Sequence, residues 1–310
     1  MLTDRRRLKN AAANSIKNAV YSPRKLVAIY TAVMLAVSLA VLAIDFVLEQ
    51  QIGNTGGLSG MGTRSILKTA QLFLQQAQLI ALPFWLIGWM YATVKVARGQ
   101  QNGPADLLQG FRQFFPFLRL TVLKGLIFAV IILAGLYAGC VAVMMSPMAD
   151  SVMESLMADM TDMTQLQLTA EMEKLMIPMV AYGGVVALVA LTPAFYRFRL
   201  AEFVMLDSKC NARTALRSSW QLMKGNMWKM MALDLSFWWF WLLGLAASAL
   251  AYADVFLPLV GITLPWSSDI SYFLAFLLAA LAQLVINYYY KAKVDVTYAH
   301  AYMALLPKEE

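Results

Sequence analysis

The sequence predicts an all-α polytopic membrane protein with six transmembrane helices. Of its 310 residues, 60% are hydrophobic and only 14% are charged, whereas soluble domains carry about 25% charged residues. Six apolar runs each reach about 20 residues, the length that lets an α-helix cross a hydrocarbon layer of ~30 Å. Basic residues collect at alternate ends of these runs, which is the pattern of a multi-pass protein.

The predicted spans cover residues 26–48, 70–94, 120–145, 177–198, 230–253 and 272–290. On one side of the membrane lie 22 of the 25 Lys and Arg residues. The opposite side holds Arg64, Lys68 and Lys174. Because cytoplasmic loops carry the excess of Lys and Arg, both termini are predicted to be cytoplasmic. The same bias accounts for the net charge of +7, so no nucleic-acid partner is expected.

Three basic stretches, residues 8–18, 104–119 and 211–225, combine apolar residues at helical spacing with flanking bases. Such helices lie in the headgroup layer of a bilayer. The phospholipid bilayer and its anionic headgroups are therefore the expected partners. The candidate lipid contacts are Lys9, Lys17, Arg112, Arg119, Arg213, Arg217 and Lys224.

Each basic stretch leads into a span that ascends from the cytoplasm. This order predicts, within a single membrane domain over residues 1–310, three parallel helical-hairpin repeats at 8–100, 104–208 and 211–305. Repeats in one orientation would be related by an axis along the membrane normal. The alternative is that any chain of helical hairpins shows basic inner ends and aromatic belts.

Residues 146–175 are predicted to form an acidic, Met-rich extracytoplasmic loop. Thioethers are soft ligands that suit Cu(I), which makes Met157, Met160 and Met163 weak metal candidates. Methionine also fills the apolar face of ordinary amphipathic helices. The second interpretation is favoured, and no cofactor is predicted.

Asp234 is an acid near the start of the fifth span, roughly 7.5 Å beyond Lys229 at 1.5 Å per residue. Acids within spans usually face the bundle interior and a partner. Two interpretations remain, a structural ion pair or helix cap and a working site. The candidate partners, all at the inner ends of descending spans, are Arg197, Arg199, Lys291 and Lys293.

These four bases are predicted either to line an inward-facing vestibule for anionic headgroups or to anchor the spans by snorkelling. Their spacing also permits ion pairs along one helix, Lys291 with Asp295 and Arg199 with Glu202.

Gln71, Gln75 and Gln78 lie on one face of the second span. Amide side chains in lipid form hydrogen bonds across helices, so one role for these glutamines is to hold neighbouring helices together. The alternative is that they line a polar translocation path. Small residues four apart, at Gly135–Gly139, Gly88–Ala92 and Gly244–Ser248, let helices approach closely. This spacing does not separate internal packing from dimerisation, so a homo-oligomer stays open.

The sequence contains none of the common catalytic patterns. There is no G-x-S-x-G, H-E-x-x-H, P-loop or dinucleotide fingerprint, and His300 is the single histidine. The protein is therefore predicted not to be an enzyme.

Two motifs carry a family resemblance. Residues 219–225, Ser-Trp-Gln-Leu-Met-Lys-Gly, and 233–237, Leu-Asp-Leu-Ser-Phe, resemble the hallmark region of the bacterial membrane family called domain of unknown function 975. The ending Tyr298-Ala-His-Ala-Tyr302 and the opening Leu8-Lys9 resemble the ends of that family. The long acidic loop and the residue before Tyr302 depart from it. The resemblance implies a helical fold in the bacterial cell membrane and assigns no catalytic residue.

Two functions follow as hypotheses. The first is a non-enzymatic protein that binds lipid or protein partners at the cytoplasmic face. The alternative is a transporter or exporter of a small amphiphilic or anionic solute through the six-helix bundle. Transport predicts a polar cavity that contains Gln75, Asp234 or Arg199, whereas a binding protein predicts a tightly packed bundle.

Overall fold

The computed structural model describes residues 4–54, 61–158, 165–252 and 268–306. Where these residues form regular secondary structure it is helical, without strands, which confirms the all-α fold class. Five helical segments are long and apolar enough to cross a membrane. They are Pro23–Gly53, Gly62–Ala97, Phe114–Met144, Leu175–Ser208 and Phe273–Leu305. A bent helix pair gives a sixth candidate span.

The first four predicted spans are helices that begin earlier than predicted. They are α2 (Pro23–Asn54), α3 (Met61–Ala97), α5 (Phe114–Met144) and α7 (Gln165–Phe198). The apolar run marks only the part of a helix that suits lipid, whereas backbone hydrogen bonding continues through the polar residues before it.

The fifth predicted span, residues 230–253, is not the continuous helix expected from its apolar run. Helix α10 (Met227–Leu235) meets α11 (Trp238–Leu250) at an angle of 62°. The backbone N–H of Ser236 bonds to the carbonyl of Leu233 at 3.0 Å, and that of Phe237 bonds to Asp234 at 2.9 Å. These contacts span three residues instead of four, so they tighten the last turn and end α10.

Two of the three basic stretches form the expected helices, α1 (Arg5–Asn18) and α9 (Ala212–Met223). The stretch at residues 104–119 is instead divided. It consists of a 3₁₀ turn at Pro104–Leu108, the short α4 (Gln109–Arg112) and the start of α5. Gln113 leaves the helical conformation at φ −113° and ψ 37°, which ends α4 and places Arg119 inside the long helix α5.

The remaining helices are α6 (Pro147–Ala158), α8 (Ala201–Ser208), α12 (Ser268–Ile286) and α13 (Ala292–Leu305). A π-helical turn at Asn287–Lys291 joins α12 to α13. Helix α6 accounts for the first part of the predicted acidic loop, and residues 159–164 of that loop lie outside the described residues.

The chain divides into two compact units. Unit 1 comprises Met1–Phe117 and Trp228–Glu310, and unit 2 comprises Leu118–Met227. These boundaries differ from those predicted for the three repeats, which stay a prediction. The core of unit 1 joins α2, α3 and α13 through residues that include Leu26, Tyr30, Trp89, Leu107 and Ala292.

In unit 2, α5 packs closely on α7. A Cβ added at Gly139 would collide with the backbone of Gly183, and one at Gly135 would collide with Ala187. The Gly135–Gly139 spacing therefore serves internal packing. In unit 1, Gly88 has the same role because the backbone of Leu107 lies directly against it.

Candidate functional site

Unit 1 contains a cavity of about 800 Å³, here called the unit 1 cavity. It is bounded by α2, α11, α12, the π turn and the start of α13. This volume lies within the ~300–1,000 Å³ typical of small-molecule sites. The apolar part of its wall includes Leu35, Trp241, Leu245 and Phe276.

One end of the unit 1 cavity carries an ion pair. Lys291 Nζ lies 3.0 Å from Asp295 Oδ2, and the two side chains are 16% and 23% exposed. This confirms the pairing predicted from their spacing. Trp89 Nε1 donates to the same carboxylate oxygen at 2.6 Å, and the Lys291 ammonium lies 5.5 Å from the centre of the Tyr30 ring. Neighbouring side chains hold the pair in place, and its charged atoms remain accessible from the cavity.

Neutral polar groups continue this end of the cavity. Asn287, buried in the π turn, donates from Nδ2 to Thr31 Oγ1 at 3.5 Å and accepts from Gln283 Nε2 at 3.3 Å. π-Helical turns occur frequently at functional sites. Sequence reasoning missed this group, although Gln283, Asn287 and Lys291 recur every four residues within an apolar span and so share a helix face.

The wall formed by α11 differs from its sequence prediction. Gly244 and Ser248 were expected to let another helix approach, yet a Cβ at Gly244 would meet nothing within 4 Å. Both residues line the unit 1 cavity. Ser248 Oγ donates to the carbonyl of Gly244 at 2.9 Å, so its hydroxyl is satisfied within α11. Small residues here leave open space instead of a helix contact.

Asp234 lies at the bend between α10 and α11. Tyr298 Oη donates to Asp234 Oδ1 at 2.5 Å, a contact that the sequence reasoning did not consider. Asp234 and Tyr298 each belong to a motif that carries the family resemblance. Their shared place in those motifs is the sequence signal that could have indicated the contact. The tyrosine supplies a neutral hydrogen-bond donor to an acid at the broken span.

Two bases of α1 also reach this bend. Lys9 Nζ donates to the carbonyl of Ser236 at 2.9 Å and lies 4.2 Å from the centre of the Phe237 ring. Arg5 donates to the carbonyl of Ala232 at 3.3 Å. Burial, with added repulsion from Lys293 and Arg5, holds the pKa of Lys9 below its ordinary value of 10.5. These contacts satisfy carbonyls at the end of α10.

Of the four bases predicted either to line a vestibule or to anchor the spans, Lys291 lines the unit 1 cavity. Arg197 and Arg199 belong to unit 2, so the vestibule stays a prediction. Lys293 lies close enough to Lys9 to lower its pKa. In unit 2, the Arg197 guanidinium lies 4.0 Å from the centre of the Trp220 ring, and Arg199 lies near its neighbours Phe195 and Tyr196. Both guanidinium groups lie beside aromatic rings, which a count of charges does not reveal.

Glu202, which its spacing pairs with Arg199, forms an ion pair with Lys124 at 2.7 Å within unit 2. The carboxylate of Glu202 thus reaches a helix distant in sequence.

The glutamine face of α3 bonds across to α2. Gln75 Nε2 donates to Asp45 Oδ2 at 3.3 Å, and Gln78 Nε2 donates to Ser38 Oγ at 3.2 Å. Gln71 is half-buried. These bonds match the adhesive role, although Asp45 was not anticipated. Its Oδ1 is buried without a hydrogen-bond partner among the described residues.

The predicted lipid contacts differ in exposure. Lys9 is half-buried at the bend, whereas the other six bases are exposed: Lys17, Arg112, Arg119, Arg213, Arg217 and Lys224. The apolar face of α9 was expected to lie in the headgroup layer. In the structure Leu216 and Met223 of that face are buried, and α9 packs on α7 and α8.

The methionine candidates for a metal cannot be placed as a group of side chains. Met160 and Met163 lie outside the described residues, and for Met157 the backbone in α6 is described. Within the described ranges, no group of three or more His, Cys, Asp or Glu residues is arranged to hold a metal ion.

Comparison with known proteins gives one result. No curated protein and no solved structure matches the chain. The model of the family described as protein of unknown function (DUF975) matches residues 1–305, nearly the full length that carries the motifs above. The chain therefore belongs to the DUF975 family of proteins of unknown function.

Proposed function

We propose that this protein is a non-enzymatic, multi-pass protein of the bacterial inner membrane that binds a membrane amphiphile in the unit 1 cavity. The observation that carries the proposal is the combination, in one cavity, of apolar walls with the Lys291–Asp295 pair at one end. A ligand with a polar head and an apolar tail matches both parts.

The positive-inside bias supports a cytoplasmic location for both termini and for the polar end of the cavity. Tyr30 lies beside this end of the cavity, only five residues after Lys25 on α2. The polar end is therefore near the basic end of that helix. The exposed bases Arg213, Arg217 and Lys224 of unit 2 support additional contact with anionic headgroups at the cytoplasmic side that the charge bias predicts.

Affinity must come mainly from the polar end. Lipid tails are as apolar as the cavity wall, so moving a tail from bilayer to cavity releases little free energy. Lys291, Asp295, Asn287 and Thr31 offer hydrogen bonds and charge in a region of low dielectric, where such contacts are stronger than in water.

Filling the cavity tests the proposal. Gly244→Leu places a side chain into the open space of the unit 1 cavity without a clash at Cβ. The matched control is Gly125→Leu on α5, where a Cβ also meets nothing within 4 Å and which does not line the cavity. Native mass spectrometry of protein purified in mild detergent should show retained lipid in wild type and Gly125→Leu. Gly244→Leu should lose it. Equal retention by both variants would contradict the proposal.

Transport is the second candidate because unit 1 contains a cavity with polar and apolar surface, where a binding protein was expected to have a tightly packed bundle. Its wall contains none of the residues expected along a path, Gln75, Asp234 or Arg199. Proteoliposomes with a fluorescent lipid in one leaflet separate the two functions. Binding without movement between leaflets supports the first, whereas movement that Gly244→Leu abolishes and Gly125→Leu preserves would establish transport.

A further inference from the structure

The geometry points to a zwitterionic phospholipid, whose headgroup carries one phosphate and one ammonium, as the ligand of the unit 1 cavity. This inference rests on the proposed function and names the chemistry of its ligand. It concerns the polar end of the cavity, where Lys291 and Asp295 are the charged residues of the wall.

The charge of this end selects against an anionic headgroup. Lys291 and Asp295 sum to zero, and the other lining side chains are neutral. A headgroup with net negative charge would meet Lys291 but would also lie against the carboxylate of Asp295. Placing like charges together is unfavourable, and more so at low dielectric. A dipolar headgroup avoids this cost because its phosphate lies by Lys291 and its ammonium by Asp295.

The two side chains retain hydrogen-bonding capacity for such a ligand. Trp89 and Lys291 both donate to Oδ2 of Asp295. A carboxylate has about four acceptor positions over two oxygens, and an ammonium has three donors, so each can bind another partner. The exposed fractions of 16% and 23% leave both heads within reach of the cavity.

Aromatic faces favour the ammonium of the ligand as well. Trp241 lines the unit 1 cavity and can serve the ligand, whereas the Tyr30 ring already lies beside the Lys291 ammonium. Aromatic faces attract ammonium groups, including those of ligands, within about 6 Å of the ring.

Unit 2 supplies a control of matched exposure. The Lys124–Glu202 pair has a separation of 2.7 Å and side chains that are 18% and 21% exposed. Neither residue lines the unit 1 cavity. Neutralising Glu202 therefore removes a comparable charge without changing the proposed site.

The test is competition between lipids of identical acyl chains. Delipidated protein is equilibrated with equimolar phosphatidylethanolamine and phosphatidylglycerol, and the retained lipids are counted by native mass spectrometry. Wild type should prefer phosphatidylethanolamine by about tenfold, because the anionic lipid lies against Asp295. Asp295→Asn, which keeps an acceptor for Trp89, should reverse the preference. Lys291→Gln should lose both lipids, and Glu202→Gln should behave as wild type.

Each result bears on one of the two proposals. If Gly244→Leu abolishes retention but wild type prefers phosphatidylglycerol, or Asp295→Asn leaves the ratio unchanged, the headgroup assignment is wrong and amphiphile binding stands. If Gly244→Leu retains as much lipid as wild type, amphiphile binding itself is wrong. Where Asp295→Asn does not fold, as judged by size-exclusion chromatography, the wild-type ratio decides the headgroup question alone.

Discussion

Helix α7 and the α10–α11 pair respond to their sequences in opposite ways. Helix α7 contains Pro178 and Pro193, yet it runs as one helix over Gln165–Phe198. The α10–α11 pair, Met227–Leu235 and Trp238–Leu250, contains no proline and bends by 62°. In these two spans, the presence or absence of proline therefore does not decide whether the helix bends. The contacts that surrounding helices make with the backbone decide it.

Helix α7 is supported between its two prolines. Gly135 and Gly139 of α5 pack against Ala187 and Gly183, which lie in that interval. Each proline removes one backbone hydrogen bond. Close packing over the intervening turns offsets this loss, and spans tolerate proline where neighbouring groups compensate.

The bend between α10 and α11 is supported from outside the pair. Lys9 and Arg5 of α1 donate to the carbonyls of Ser236 and Ala232, and Tyr298 of α13 donates to Asp234. An unsatisfied carbonyl in lipid costs several kcal/mol. Donors from α1 and α13 satisfy polar groups at the bend and so stabilise the bent conformation. Without them, a continuous helix would be expected.

The largest expected effect is on the support of α7. Gly139→Leu inserts a side chain where even a Cβ collides with the backbone of Gly183. We expect a loss of about 3 kcal/mol or more, at the upper end for overpacking. A thermal-shift measurement in detergent should show a large fall in melting temperature. Gly184→Leu, where a Cβ meets nothing within 4 Å, is the control and should stay near wild type. Equal melting temperatures would show that α7 does not depend on this packing.

An intermediate effect is expected at the bend. Tyr298→Phe removes the hydrogen bond to Asp234 and keeps the ring that packs edge-on against Phe237. We expect a loss of about 1.5–3 kcal/mol, typical of a hydrogen bond to a charged group. Tyr182→Phe on α7 is the control because its side chain is exposed. If both variants melt together, the Tyr298 contact does not stabilise the bend.

The smallest effect is expected at the partly exposed Lys9. Lys9→Met removes its bond to Ser236, and we expect a loss of about 0.5–1 kcal/mol at neutral pH. Lys17→Met on the exposed face of α1 is the control. A loss from Lys17→Met as large as that from Lys9→Met would mean that the bond to Ser236 contributes nothing specific.

The pH dependence of Lys9 sharpens that test. Its pKa is lower in the folded protein than the ordinary 10.5, so the folded protein binds this proton less tightly than the unfolded chain. Stability due to Lys9 therefore rises as the pH passes the lowered value and is fully present above 10.5. The difference in melting temperature between wild type and Lys9→Met should widen from neutral pH toward 10.5. A difference that narrows would contradict the sign.

Local patterns in the sequence were enough to determine the helical class, the candidate spans and the Lys291–Asp295 pair. Apolar length measures what a helix can cross, and residues four apart meet on any α-helix. The membrane class also follows from composition, because only 14% of the residues are charged, whereas soluble domains carry about 25%. Sidedness and the threefold repeat remain predictions from charge and spacing.

Tertiary structure alone decided which groups face each other. Gly139 and Gly244 occur in the same small-residue spacing, yet one touches the backbone of α7 and the other borders the unit 1 cavity. Asp234 accepts a hydrogen bond from Tyr298, which lies 64 residues along the chain and was not among its candidate partners. The physical reason is that the sequence of a uniformly apolar helix does not show which face contacts another helix. Packing, open space and hydrogen-bond partners depend on the helix that lies opposite.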